Sequence, residues 1–91
     1  MGRTLREMLD EKLQRYEELE RMMMDPTVLA NSSRLASVAR ERGQLAKLAL
    51  RYREFKHLNE QIRQTQELLE GPDPELRELA EAELPELKAR R

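Results

Sequence analysis

Residues 33–69, SRLASVARERGQLAKLALRYREFKHLNEQIRQTQELL, decide the fold, because 37 residues pass without a proline and with one glycine. A run of this kind reads as a single helix, and at 1.5 Å per residue it would extend roughly 55 Å. Leu45, Leu48, Tyr52, Phe55, Asn59, Ile62, Gln66 and Leu69 follow at alternating steps of three and four, which marks one apolar seam. Asn59 and Gln66 put amides on that seam, a device that fixes register at some cost in stability. Tyr52 and Phe55 are two of only three aromatic residues and are read as core, so Phe55→Ala is expected to cost about 3–5 kcal/mol. Gly43 is expected to weaken the helix locally by about 1 kcal/mol relative to Ala.

Outward from this stretch, the chain's strongest breakers set the limits: Asp25-Pro26 on one side and Gly71-Pro72-Asp73-Pro74 on the other. Helices are therefore expected over 4–24, 33–69 and 74–91, in an all-α antiparallel three-helix bundle or helical hairpin with one long central helix, a single domain over 1–91. Thr4 with Glu7 three residues on is a capping box, and Leu5, Met8, Leu9, Leu13, Tyr16, Leu19 and Met23 then form an apolar stripe. The residue before a proline disfavours the helical region, so Asp25 should close the first helix. Val28 and Leu29 are expected to tuck under the bundle, and Asn31-Ser32-Ser33 offers the next N-cap. Asp73 reads as the last N-cap, with Pro74 at the first helical position and Leu76, Leu79, Ala80, Leu84 and Leu87 as the buried stripe. Pro85 removes a hydrogen bond inside that helix, so a kink is expected near Glu81.

Composition excludes several classes. Charged and hydrophobic residues each make up 38%, aromatics only 3%, and Val and Ile together occur three times, which rules out a β-sandwich. No cysteine is present, which removes disulfides, thiol catalysis and cysteine-held metals and fits a reducing compartment. No apolar run approaches the ~18 residues of a membrane span, and the alternating charge after Arg3 and Arg6 is unlike a signal peptide. A cytoplasmic protein without membrane contact is expected. The net charge of −1 hides a segregation: −2 over residues 1–25, +5 over 31–66 and −4 over 67–91.

Chemistry is sparse. The three glycines lie far apart, so no phosphate loop is present. His57 lies 20 residues from Ser37 on the same expected helix, roughly 30 Å away by helical rise, and cannot pair with it as base and nucleophile. A lone histidine off the seam reads as solvated, since it has no companions for a metal site. Acidic neighbours such as Glu17-Glu18 and Asp10-Glu11 read as solubilising charge. No catalytic, cofactor or metal residue is expected. Two features could bind a partner. Met22-Met23-Met24 ends the first helix and must turn one side chain outward, either as a soft docking surface or as a helix end covered by the following loop. On the basic helix, Arg40, Lys47 and Arg51 fall on one stripe while Arg42, Arg53, Lys56 and Arg63 flank the other side. These cations either pair with the acidic helices or track an RNA phosphate backbone, and both can hold on opposite flanks.

Three ordered blocks carry a family resemblance. Arg15-Tyr16-Glu17-Glu18-Leu19-Glu20 with Met23, Asp25-Pro26 and Val28 resembles the first helix and turn of bacterial class I peptide chain release factors. Arg34 and Tyr52-Arg53-Glu54-Phe55-Lys56 resemble the second-helix Tyr-Arg-x-Tyr-Lys element, and Asp73-Pro74-Glu75-Leu76-Arg77-Glu78-Leu79-Ala80-Glu81 resembles the acidic start of the third. The absence of tryptophan after the first helix is similar to type 1 factors, which read UAA and UAG. Gly43, within Arg42-Gly43-Gln44, and Pro85 depart from the family pattern.

The resemblance implies the N-terminal domain of a larger termination factor, without catalysis of its own: the Gly-Gly-Gln loop and the codon-reading tripeptide belong to later domains. It implies a ribosome-contacting module near the large-subunit stalk base, beside the site of translational GTPases. The alternatives are a tRNA-binding arm of the seryl-tRNA synthetase kind and a stand-alone coiled-coil adaptor. Because the third helix is short, Leu35, Val38, Leu45 and Leu48 are expected to keep one side uncovered, so a homodimer of the isolated chain is expected.

Overall fold

Local signals at the chain's turns set where its helices begin and end, and the computed structural model, which describes residues 2–91, contains four: α1 (Leu5–Met22), α2 (Pro26–Leu29), α3 (Ser32–Leu69) and α4 (Pro74–Arg90). No strand occurs among the described residues, and none of the helices is long and apolar enough to cross a membrane. The fold is all-α with one long central helix. Three caps follow from side-chain chemistry: the Thr4 hydroxyl accepts from the Glu7 N–H at 3.1 Å, Asn31 from the Arg34 N–H at 3.0 Å and Asp73 from the Glu75 N–H at 2.9 Å. Each satisfies a first-turn donor that the helix itself leaves free.

Helix α1 stops two residues before the expected position. The N–H groups of Met24 and Asp25 bond three residues back, to Arg21 and Met22, which tightens and ends the helix. Asp25 then caps α2, a four-residue helix not expected from the sequence, by accepting from the Thr27 N–H and hydroxyl at 2.9 and 2.8 Å. Those two bonds hold the Asp25 carboxyl below the usual carboxylate range. Val28 is fully buried, as expected, but Leu29 is 52% exposed: the single turn of α2 directs only one of the two inward.

The chain packs as two units, the first ending at Arg53 and the second running Glu54–Arg91. In the first, Leu13 and Tyr16 join Ala49 and Tyr52 in one cluster, and Leu19 joins Val28 and Val38 in another. Late α1 residues meet early α3 residues, so this pair is antiparallel. Met22 and Met23 pack half-buried on the second cluster, while Met24 is 80% exposed, the outward member of the three. In the second unit Leu58, Ile62 and Leu87 form the core with Leu84 against it. Ala80 and Thr65 are also buried, and the Thr65 hydroxyl donates to the Gln61 carbonyl of its own helix at 2.8 Å.

The single seam expected along α3 turns inward only in part, at Leu45, Tyr52, Ile62 and Leu69. Val38, Leu45, Ala49 and Tyr52 face inward in the first unit and Leu58, Ile62, Thr65 and Leu69 in the second, each set at helical spacing. Leu58 follows Tyr52 by six positions, so the three–four rhythm restarts there. Leu48, Phe55 and Gln66 of the expected seam are exposed, and Phe55 is not core. The expected stripe of α4 shrinks in the same way: Ala80 and Leu87 are buried and Leu84 half-buried, but Leu76 and Leu79 are exposed. Helix α4 continues through Pro85 to Arg90.

The uncovered side expected for the start of α3 is largely covered within the chain. Val38 is buried and Leu35 and Leu45 are half-buried against residues of α1 and α2, leaving Leu48 as the exposed member of the four.

Candidate nucleic-acid interface

Helix α3 carries its basic residues in two populations, separated by what lies within reach. Arg42 and Arg53 stand over the buried Tyr16 ring, their guanidinium carbons 5.3 and 5.5 Å from its centroid. Both reach Glu20: Arg53 donates to it at 2.8 Å, and Arg42 lies 4.0 Å from it. The hydrogen bond it donates to Glu20 holds the Arg53 guanidinium above the usual arginine range. Across the same helix pair, Arg15 of α1 grips Glu41 with two bonds of 2.7 and 2.8 Å. This raises the Arg15 pKa and holds the Glu41 carboxyl below the usual carboxylate range. Tyr52 adds a further link, its hydroxyl donating to Asp10 at 2.7 Å.

Arg63, on the second unit, pairs along its own helix with Glu60 and Glu67, which depresses the Glu60 pKa. The electrostatic reading of the flanking cations therefore holds for Arg42 and Arg53 against α1, whereas Arg63 finds its acids on α3 itself rather than on the acidic α4. Lys56 is also engaged.

Arg40, Lys47 and Arg51 are different. All three are exposed, and none makes an ion pair among the described residues. They sit two turns and then one turn apart along α3, a rise of about 16 Å from first to last. Helical projection puts them away from the inward Val38, Leu45, Ala49 and Tyr52, and Gln44 shares their side. Glu41 is the sole carboxylate between Ser32 and Arg53, and Arg15 engages it. The result is a solvated strip of positive charge that meets no counter-charge among the described residues.

His57 and Ser37 are exposed. No group of three or more His, Asp or Glu side chains that could hold a metal occurs among the described residues. Met23 and Met24 line an open groove with Glu20 and Arg42. Sequence reasoning missed the Arg15–Glu41 and Tyr52–Asp10 links. Their only signal is an arginine and an aspartate on α1 opposite complementary groups on α3, legible once the register is known.

Comparison with known proteins places the chain in a family. The PCRF domain matches residues 12–91. Peptide chain release factor 1 of Listeria monocytogenes serotype 4a (strain HCC23) is 41% identical over 75 residues, covering 81% of this chain and 21% of that protein. The release factor 1 proteins of Syntrophus aciditrophicus and Geobacter sulfurreducens are each 40% identical, over 80 and 84 residues, covering 88% and 92% of this chain and 22% and 23% of theirs. The chain thus spans between a fifth and a quarter of the length of these relatives. No solved structure matches it. With all but its first eleven residues inside the matched region and the relatives agreeing with the resemblance of its three sequence blocks, the chain belongs to the PCRF domain family of peptide chain release factors.

Proposed function

We propose that this chain is the N-terminal helical domain of a translation termination factor and serves as its ribosome-contacting module near the large-subunit stalk base. Family membership and relatives named peptide chain release factor 1 support the first half of this reading. The stalk-base location is what the family resemblance implies, and the ribosome contact itself rests on one observation: of the cations on α3, Arg42, Arg53 and Arg63 are held by carboxylates, while Arg40, Lys47 and Arg51 face solvent with none among the described residues. Exposed, uncompensated charge at helical spacing is what backbone contact with ribosomal RNA requires. In this reading the whole factor acts in the cytoplasm at UAA and UAG, beside the site of translational GTPases. This domain supplies binding, and the hydrolytic chemistry lies in later domains, with no cofactor or metal here.

The test is co-sedimentation of the chain with purified large ribosomal subunits at several salt concentrations. Binding should weaken steeply with salt, and the combined Arg40→Ala, Lys47→Ala, Arg51→Ala variant should flatten the slope of log affinity against log salt by about 2–3. Unchanged binding by a variant with native circular dichroism would overturn the interface. Peptide release above background from a programmed ribosome would overturn the non-catalytic assignment.

A homodimer of the isolated chain is no longer motivated by the start of α3, because α1 and α2 cover most of the stripe expected to drive it. Sedimentation equilibrium at twice the mass of one chain would restore it.

A further inference from the structure

Gly43 is an exposed residue inside α3, and no packing contact among the described residues requires a glycine there. Its φ is not positive, and a Cβ built on it meets no atom within 4 Å. Glycine in a helix interior is unfavourable relative to almost any other residue, so the position carries a cost without an internal return. Its neighbours on the helix surface suggest where the return lies. Arg40 is three residues before it and Lys47 four after it, which places one cation a turn above and one a turn below on the same side. The two cations are about 10 Å apart along the axis, with bare backbone between them and the Gln44 amide alongside.

Resting on the proposed ribosome contact, we infer that Gly43 is a notch into which a ribosomal RNA strand settles, its sugar–phosphate backbone against the naked helix turn and its phosphates toward Arg40 and Lys47. The occupant is RNA because the flanking side chains are cationic, and the one carboxylate nearby, Glu41, is engaged by Arg15. A polar amide at Gln44 suits a phosphate oxygen or a 2′-hydroxyl, the contacts by which RNA backbones are held. A side chain at position 43 would lift the strand off both cations at once.

The test compares Gly43→Ala and Gly43→Gln with the wild-type chain, by thermal melting and by binding to purified large subunits and to protein-free ribosomal RNA from them. Both variants should raise the melting temperature, since each is a better helix former than glycine. Both should weaken binding to subunits and to RNA, Gln more than Ala, with a loss of about tenfold for Gln. Lower affinity in a more stable protein cannot come from unfolding. If Gly43→Gln binds as well as wild type while the Arg40, Lys47, Arg51 variant loses affinity, the notch fails and the ribosome contact stands. If neither weakens binding, the contact itself fails. A loss on intact subunits but not on protein-free RNA would assign the notch to a protein and overturn the RNA reading, and a lowered melting temperature would overturn the premise that packing does not need glycine.

Discussion

The unit ending at Arg53 and the unit Glu54–Arg91 share one helix but are held by different means. The first joins its helices by two apolar clusters and by polar links between them: Arg15 to Glu41, Arg53 to Glu17 and Glu20, Tyr52 to Asp10. The second has one cluster of three buried residues with Leu84, and the ion pairs of Arg63 with Glu60 and Glu67 run along α3 without joining it to α4. A surface hydrogen bond from Arg91, just past the end of α4, to Asn59 of α3 at 3.0 Å links the two ends of this unit. Charge is thus an assembling force in the first unit and mostly a solvating one in the second. The difference bears on function, because the cations left over after assembly are the ones available to a partner.

The largest expected effects come from removing the anchors of each core. Leu19 and Leu87 are almost fully buried, and Leu→Ala at either should cost about 2–5 kcal/mol. The informative readout is hydrogen exchange. Leu87→Ala should remove protection around Leu58–Ile62 and Ala80–Leu87 while protection at Leu13–Leu19 persists, and Leu19→Ala should do the reverse. Uniform loss of protection from either change would show that the two units unfold as one.

Next in size is a contrast between two aromatic residues three positions apart. Tyr52 is 8% exposed and bonded to Asp10, whereas Phe55 is 48% exposed. Tyr52→Ala should cost about 3–5 kcal/mol and Phe55→Ala only about 1 kcal/mol, read from urea unfolding midpoints. Equal losses would mean that Phe55 gains a partner in solution.

That contrast also shows what the sequence could and could not reveal. Thr4 and Asp73 were legible, and Asn31 within the stretch Asn31-Ser32-Ser33, because capping is local: a short polar side chain meets an N–H two or three residues away. The existence of one long helix was legible from the missing breakers. Its register was not. A continuous apolar seam through Leu48 and Phe55 satisfies the pattern better than the true inward set, in which Ala49 and Thr65 contribute little apolar signal and the spacing restarts after Tyr52. Which side of each residue is covered depends on where α1 and α4 pack, a tertiary fact. The candidate strip was half legible for the same reason. Its three cations stand out by spacing, but that they remain unpaired depends on the reach of Glu20 and Arg15 toward the others.

A smaller effect sharpens the role of position 43. With no packing demand and no positive φ, Gly43→Ala should stabilise the first unit by about 0.5–1 kcal/mol, measured by thermal melting. A destabilised variant would mean that α3 needs a flexible point there.

The smallest effect concerns acid. Glu41 is held below its ordinary value of 4.5 by the bonds from Arg15, and Asp25 below 3.8 by those from Thr27. Their folded forms therefore bind fewer protons than the unfolded chain in the window just below those values. The stabilisation is complete above about pH 4.5 and is lost as pH falls through the folded pKa values. Both groups lie in the first unit, so mild acid should loosen it, and Glu41→Gln should make its stability less sensitive to pH in this window while lowering it at neutral pH. Glu60, depressed by Arg63, adds a similar dependence to the second unit. There, however, both partners ride on α3, so the same protonation releases no contact between helices. Amide exchange followed from neutral pH to below pH 4 should show α1 losing protection earlier than α4. The opposite order would mean that the ion pairs across α1 and α3 contribute less than the second unit's small apolar core.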